Sequence, residues 1–311
     1  MRILHLIPVG LSLLDQIDRG VLPALRPALA VDELPGTADT VGEALQQATD
    51  RHRELDLNHL GLTGVPRTAG ALDPSMAAEW TSVTAVAAEP RHGAAGGEAY
   101  VFIATDSDGG LRAATLVAAR YRRTTMRYLH EPVTTGRLLF KPGEVYICRI
   151  PDLDLGNREP TITTWRSLGV VGRLVADTAQ QTGRGEWNVV VHLSGGYKAM
   201  IPYLMVLGEG IHSRLRDPRD AARRRPKIRT VAIHDPSTGR DPTRVRIVVD
   251  VPVRALGPDL LADVEKLKKL SQPDSDIVGA GAPKDLLGLF IEREDSVYRL
   301  TDPGLIMVNV L

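Results

Sequence analysis

The sequence has few of the features that assign a protein to a special class. Its single cysteine, Cys148, can form no disulfide within the chain, and its place in the apolar stretch VYICRI predicts a buried free thiol. Lysine plus arginine equal aspartate plus glutamate, at 38 each. Because the net charge is zero, no overall field draws the chain toward nucleic acid or an acidic membrane, and any anionic ligand must be bound by local groups.

Long apolar runs are missing as well. No stretch approaches the roughly 18 uninterrupted apolar residues of a membrane-spanning helix. The opening MRILHLIPVG has neither the charged start nor the small-residue cleavage site of a signal peptide. We therefore expect a cytoplasmic protein. With 311 residues, 43% of them hydrophobic, the chain is long enough for a sizeable core, in two domains or in one large domain with a satellite.

What the chain does contain is an alternation of short apolar segments and helical patterns. Strands are predicted at 2–9, 99–105, 125–131, 144–150 and 187–194, and helices at 111–123, 164–181 and 197–211. This alternation predicts an α/β fold with a Rossmann-like, open, mostly parallel sheet and helices on both faces. Ligands bind to such sheets at the carboxyl ends of the strands.

The remaining segments are less regular. Residues 15–97 form a long excursion with two helical patterns. We expect a ligand-binding domain at 1–211, with an extension to 254 as an alternative, and a basic connector at 212–230. The arginines from Arg214 to Arg229 indicate either a solvated connector or a site for RNA, DNA or an acidic partner. Residues 231–311 predict a small α+β segment: a strand pair, and a tail that loosely resembles the final helix and wing of a winged-helix module.

The most informative stretch is LSGGYK, at the end of the predicted strand 187–194. Ser194 ends the strand, Gly195 and Gly196 allow a tight turn, and Tyr197 and Lys198 open the next helix. A cation in the first turn of a helix is disfavoured by the helix dipole, so Lys198 indicates a nearby anion, unless its side chain simply extends into solvent. The stretch matches neither GxxxxGK[ST] nor GxGxxG.

Two other strand ends carry small polar residues. The first strand runs into Gly10, Leu11 and Ser12, and Ser12 alone would be interpreted as a helix N-cap. The second runs into Thr105, Asp106 and Ser107. That loop could cap the next helix, which is the simpler interpretation, or contribute to a metal site, although its aspartates lack a third ligand at a definite spacing. The chain also has no HExxH motif and no CxxC pair, so we expect neither a metal nor a cofactor.

Together, PVGLSLL, IATDSDGGLRAA and LSGGYKAMIPYL resemble the motifs of CARF domains, the CRISPR-associated Rossmann-fold sensors of cyclic oligoadenylate in type III systems. The resemblance covers about residues 1–211. It implies a cytoplasmic homodimer that binds a ring of four or six adenylates over its twofold axis. Cyclic tetra-adenylate is the favoured ligand. The resemblance also implies that the ligand-binding residues are Gly10, Leu11, Ser12, Thr105, Asp106, Ser107, Ser194, Gly195, Gly196, Tyr197 and Lys198.

Some stand-alone members of this family are ring nucleases, which cut the signal molecule and end the antiviral response. In a reaction of that kind Lys198 would stabilise the developing charge and Ser12 would orient the attacking 2′-hydroxyl or a phosphate oxygen. Two alternatives remain open at this point. One is a non-catalytic sensor that controls DNA binding through its carboxyl-terminal segment, and the other is a generic Rossmann-like enzyme for a nucleotide.

Overall fold

The structure, a computed structural model, describes residues 2–11, 14, 41–52, 77–89, 97–121, 125–132, 138–154, 159–181, 187–195, 198–216, 226–234, 247–271, 275–279 and 281–311. Within these residues the strands are β1 (Arg2–Pro8), β2 (Glu98–Ala104), β3 (Thr125–Leu129), β4 (Glu144–Arg149), β5 (Trp187–His192), β6 (Ile228–His234), β7 (Ile247–Val251), β8 (Ile277–Val278), β9 (Ile291–Glu294) and β10 (Val297–Leu300). The α-helices are α1 (Val41–His52), α2 (Ala78–Ala87), α3 (Asp108–Ala119), α4 (Ile162–Ala179), α5 (Ile201–Leu215), α6 (Pro258–Leu270) and α7 (Asp302–Val310). Short 3-10 turns occupy Lys198–Met200 and Lys284–Leu286.

The main sheet has seven strands in the order β3-β4-β2-β1-β5-β6-β7. Every neighbouring pair is parallel except β6 and β7, which are antiparallel. The prediction of a mostly parallel α/β sheet is therefore confirmed, and the strand pair predicted after residue 230 is β6 with β7. The central strands read as unbroken apolar runs because both of their faces are covered.

Helices cover the sheet on both sides, so each central strand buries alternate side chains in two different cores. On one face, Phe102 of β2 packs in the core that includes Trp80 of α2 and Val117 of α3. On the other face, Val101 packs in a core that includes Leu168 of α4 and Ile306 of α7. This two-sided burial is the physical reason why the strands alternate with helices in the sequence.

The sheet continues beyond the segment that the sequence most clearly marks as ligand-binding. β6 and β7 are hydrogen-bonded into the same sheet as β1, so the expected domain end at residue 211 precedes two of its strands. The alternative extension to residue 254 includes both. Two arginines of the basic segment are held by acids: Arg214 lies 2.7 Å from Asp177, and Arg229 lies 2.7 Å from Glu89.

The carboxyl-terminal part contains a three-stranded antiparallel sheet in the order β8-β10-β9. Its β9–β10 hairpin corresponds to the wing-like element of the sequence prediction. Ahead of that hairpin, the described residues form the 3-10 turn Lys284–Leu286 rather than a long helix. The chain then returns to the main core as α7, which packs so closely on α4 that a Cβ added at Gly169 would lie 2.6 Å from the carbonyl oxygen of Ile306.

Cys148 lies in β4 with no exposed surface, and burial raises the pKa of its thiol. The expectation of a buried free thiol is confirmed.

Of the helices in the described ranges, none is both long enough and apolar enough to cross a bilayer.

Truncating the buried face of α7 should strongly destabilise the fold. Ile306 has no exposed surface, and Ile306→Ala should lower the free energy of unfolding by about 2–5 kcal/mol, because the substitution leaves a cavity between α4 and α7. Chemical denaturation followed by circular dichroism measures this change. Leu289→Ala is the control, because Leu289 is 55% exposed, and it should change stability by no more than about 0.5 kcal/mol. Equal effects of the two substitutions would contradict the described packing of α7.

Candidate functional site

The loops that carry the predicted site residues follow three adjacent strands. β1 is hydrogen-bonded to β2 on one side and to β5 on the other, and all three run parallel. Their carboxyl ends therefore meet at one edge of the sheet. From β1 the chain builds the half of the sheet with β2, β3 and β4, and then crosses β1 to start the other half at β5. A reversal of this kind leaves a crevice between the two central strands, where α/β proteins bind ligands.

A cavity of about 690 Å³ occupies this crevice. This volume lies within the range of small-molecule sites, about 300–1,000 Å³. Its wall joins the ends of β1 and β5 to the start of α5 and to the face of β6 and β7. The described lining residues are Gly10, Leu11, Ala78, Leu193, Ser194, Lys198, Ile201, Met205, Ala232, Ile233 and Val251. Four of the predicted site residues, namely Gly10, Leu11, Ser194 and Lys198, thus share one cavity.

Lys198 is the one charged side chain among the described residues that line the cavity. It lies in the 3-10 turn that precedes α5, and it is exposed to solvent. Ser194 faces the same space, and its Oγ accepts a hydrogen bond from the backbone N–H of Ile233. Because a hydroxyl that accepts one hydrogen bond can still donate its own proton, Ser194 remains able to bind an anion beside Lys198.

Gly195 is required by close packing. A Cβ at this position would lie 2.5 Å from the carbonyl oxygen of Pro8 and 2.9 Å from Cγ of Glu79. The turn after β5 therefore lies directly against the end of β1, and no larger residue fits between them. Three further residues that the sequence assigns to the site lie outside the described residues: Ser12, Gly196 and Tyr197.

The loop after β2 caps α3 and contacts Arg149 at the end of β4. Ser107 is the N-cap of α3, and its Oγ accepts the backbone N–H of Gly110 at 3.1 Å. Thr105 Oγ1 lies 3.3 Å from the same Oγ. Asp106 accepts two hydrogen bonds from Arg149, at 2.5 and 2.9 Å. Thr105, Asp106 and Ser107 are not among the described lining residues of the cavity, and their assignment to ligand binding stays a prediction.

The β2 loop is nevertheless close to the β1 loop. A Cβ added at Gly109 would lie 3.6 Å from the Leu11 side chain, so the start of α3 borders the residues that line the cavity. Across the described ranges, no three histidine, cysteine or acidic side chains converge as a metal site would require. This edge thus brings the start of α3 close to Leu11, which lines the cavity together with Lys198.

Sequence reasoning missed Glu79, an acid buried in α2. Its side chain is 1% exposed, and its Oε1 accepts the backbone N–H of Gly10 at 2.8 Å. A signal was present, because Glu79 is the one charged residue in AAEWTSVTAV, whose other side chains are apolar or carry only a hydroxyl group, and a buried acid needs a hydrogen-bonding role. The apolar wall formed by Met205, Ala232 and Val251 could not be assigned to a cavity from sequence, because it combines distant elements.

A buried histidine pair was missed as well. His5 of β1 and His192 of β5 have no exposed surface, and their Nδ1 and Nε2 atoms lie 3.0 Å apart. The other ring nitrogen of His192 lies 2.6 Å from Oγ of Ser82 in α2. This chain of polar groups joins α2 to the two strands on either side of the crevice.

The fold and the site together define a Rossmann-like α/β protein with a lysine-bearing cavity at its topological switch point. No protein-family model matches the chain, and none of the curated proteins matches it significantly.

The packing around Gly195 predicts that even one added methyl group at this position destabilises the fold. Gly195→Ala should lower the free energy of unfolding by about 1–3 kcal/mol, because Pro8 and Glu79 must both shift. Gly279→Ala is the matched control, since a Cβ at Gly279 would lie 3.4 Å from its nearest atom, the carbonyl oxygen of Leu270, which is an ordinary contact distance. Thermal and chemical unfolding of both variants measure the difference. A Gly195→Ala protein as stable as the Gly279→Ala protein would show that the turn is not packed as described.

Ser107 should behave as a helix cap. Ser107→Ala removes the acceptor for the N–H of Gly110 and should cost about 0.5–2 kcal/mol of unfolding free energy. Ser107→Asp restores an acceptor at the cap and should recover most of that loss. Denaturant titration of the three proteins tests the assignment, which fails if Ser107→Ala is as stable as the parent chain.

Proposed function

We propose that this chain binds cyclic oligoadenylate, with cyclic tetra-adenylate favoured, and that it cleaves the ring without a metal. In this proposal it acts in the cytoplasm as a homodimeric type III CRISPR accessory protein of the CARF type, and its ring nuclease activity ends antiviral signalling. The observation that supports the proposal most strongly is that Gly10, Leu11, Ser194 and Lys198 line one cavity at the carboxyl edge of a Rossmann-like sheet.

The chemistry of the cavity suits a phosphodiester attached to an apolar body. Lys198 supplies a point charge for a phosphate oxygen, and Ser194, which lines the same cavity, supplies a hydroxyl donor. The wall formed by Met205, Ala232 and Val251 offers apolar surface to the face of a purine base. A nucleotide presents both kinds of surface within one unit.

The proposal places a ring-shaped ligand between two subunits. The cavity is open to solvent where Leu11 is 50% exposed. If two chains place these openings together about a twofold axis, a cyclic tetra-adenylate can lie across the axis and meet the same groups twice. In that arrangement Lys198 of each chain contacts one of two equivalent phosphates, and the zero net charge of the chain is no obstacle.

The proposed cleavage is an in-line attack within the ring. A ribose 2′-hydroxyl gives up its proton to water as its oxygen forms a bond to the adjacent phosphorus, the bond from phosphorus to the 5′-oxygen breaks, and the leaving oxygen takes up a proton from water. The products are a 2′,3′-cyclic phosphate and a 5′-hydroxyl on a linear chain. Lys198 stabilises the negative charge that grows on the phosphoryl oxygens, and Ser12 orients the attacking hydroxyl or a phosphate oxygen.

The sensor alternative places the output in the basic segment and the carboxyl-terminal tail. Its support is weaker, because Arg214 and Arg229 already pair with Asp177 and Glu89. A phosphate backbone would have to compete with those carboxylates. The steep salt dependence of DNA binding, measured with duplex DNA at low and moderate salt, would favour this alternative.

The decisive variant for the proposal is Lys198→Ala. Purified protein is mixed with labelled cyclic tetra-adenylate and cyclic hexa-adenylate in EDTA, and both binding and linear products are followed over time. Because the homodimer loses two equivalent charge-assisted contacts to one ring, binding should weaken by about 100-fold or more, and linearisation should be abolished. Lys227→Ala is the matched control, because Lys227 is exposed and directly precedes β6, at the opposite edge of the sheet.

Each outcome of this experiment has a clear meaning. Linear products that disappear with Lys198→Ala but persist with Lys227→Ala support a metal-independent ring nuclease. Tight binding of an intact ring supports a sensor. No binding of either ring by a folded dimer overturns the proposal and favours a generic Rossmann-like nucleotide enzyme.

A further inference from the structure

Helix α2 lies directly beneath the two turns that bear the candidate site. Its second residue, Glu79, accepts the backbone N–H of Gly10 through Oε1 at 2.8 Å. The preceding residue, Ala78, lines the cavity, whereas Glu79 is 1% exposed and is not among the described lining residues. Glu79 therefore contacts the β1 turn from behind the cavity.

The same side chain packs against the β5 turn. A Cβ at Gly195 would lie 2.9 Å from Cγ of Glu79, so Gly195 and the Glu79 methylene group are in close contact. One buried side chain thus hydrogen-bonds to the turn after β1 and fills the space beneath the turn after β5.

The position of α2 is itself fixed to these strands. Ser82 lies three residues after Glu79, on the same side of the helix. Its Oγ is 2.6 Å from Nδ1 of His192, the last residue of β5. His192 in turn contacts His5 of β1 at 3.0 Å. Ser82, one helical turn after Glu79, thus connects α2 to β5 directly and to β1 through His192. These contacts fix the position of Glu79 relative to the crevice.

We infer that Glu79 is a positioning residue, which holds the Gly10 turn and the Gly195 turn in fixed register so that Ser194 and Lys198 face one ligand. The effect on ligand binding rests on the proposed function, whereas the effect on the two turns does not. Since Glu79 lies behind the cavity, its role is to act through the turns and not to touch the ligand.

The contact with Glu79 limits the backbone donors that a phosphate can use. The N–H of Gly10 already donates to Glu79, so it is not the group that meets the ligand in this arrangement. In the proposed site, the β1 turn thus contributes shape to the cavity. The hydrogen-bond donors come from the β5 turn and from Lys198. The shape of the Glu79 side chain matters more than its charge for this role.

The test separates shape from charge with two substitutions. Glu79→Gln keeps an acceptor oxygen for Gly10 and the methylene groups beneath Gly195, so the exchange rate of the Gly10 amide and the affinity for cyclic tetra-adenylate should stay within about threefold of the parent values. Glu79→Ala removes both contacts. It should accelerate amide hydrogen exchange at residues 9–11 and 193–195 by about tenfold or more and weaken binding by a similar factor.

Val86→Ala is the matched control for a general loss of stability. Val86 is in the same helix, has no exposed surface, and packs with Ile3, Val190 and Val231 instead of the turns. It should lower the unfolding temperature without a selective increase of exchange in the two turns. Should Glu79→Ala fail to fold, Glu79→Asp, which withdraws the carboxylate by one methylene group, carries the same test.

The outcomes distinguish this inference from the proposed function. If the parent chain binds no cyclic adenylate, the proposed function fails, and the exchange measurement alone decides whether Glu79 holds the turns. The inference is overturned if Glu79→Ala leaves exchange in the two turns unchanged, or if Val86→Ala raises it equally. It is also overturned if Glu79→Ala accelerates exchange in the two turns but binds cyclic tetra-adenylate as tightly as the parent chain does. Loss of cleavage with Glu79→Gln at unchanged affinity would instead assign Glu79 a direct part in the chemistry.

Discussion

The parallel pairing of β1 with β2 on one side and with β5 on the other is the constraint on which the rest of this structure depends. It brings the carboxyl ends of these strands to one edge, and it places the turn after β1 against the turn after β5. The contact is so close that Gly195 has no room for a side chain. The cavity, the position of Lys198 and the buried contacts of α2 all follow from this juxtaposition.

The two sides of the crevice contribute different properties. On the β1 side, the Gly10 amide donates to a buried acid, and the strand contacts β5 through a histidine pair. The β5 side supplies the polar groups, Ser194 and Lys198, while the β6–β7 face supplies apolar surface. In the proposed function these local groups bind a phosphate, so the protein does not need a high net charge.

Much of the fold could be predicted from the sequence, because each central strand is buried on both faces and so appears as a short apolar run between helical patterns. Gly10, Leu11, Ser194 and Lys198 line one cavity for the same reason, since strand ends in a parallel sheet share an edge. Glu79 could not be placed beforehand, because its role depends on how α2 packs under loops far away in sequence. The carboxyl-terminal helix α7 was likewise unforeseen, since its burial against α4 depends on small residues such as Gly169 in another element.

The most direct test of the central claim is to determine the structure of the complex with cyclic tetra-adenylate. The account predicts one ring across a twofold axis, with a phosphate beside Lys198 and Ser194 of each subunit and a base against the wall that contains Met205 and Val251. A ring bound at another surface, or held by a single subunit away from the crevice, would contradict the account.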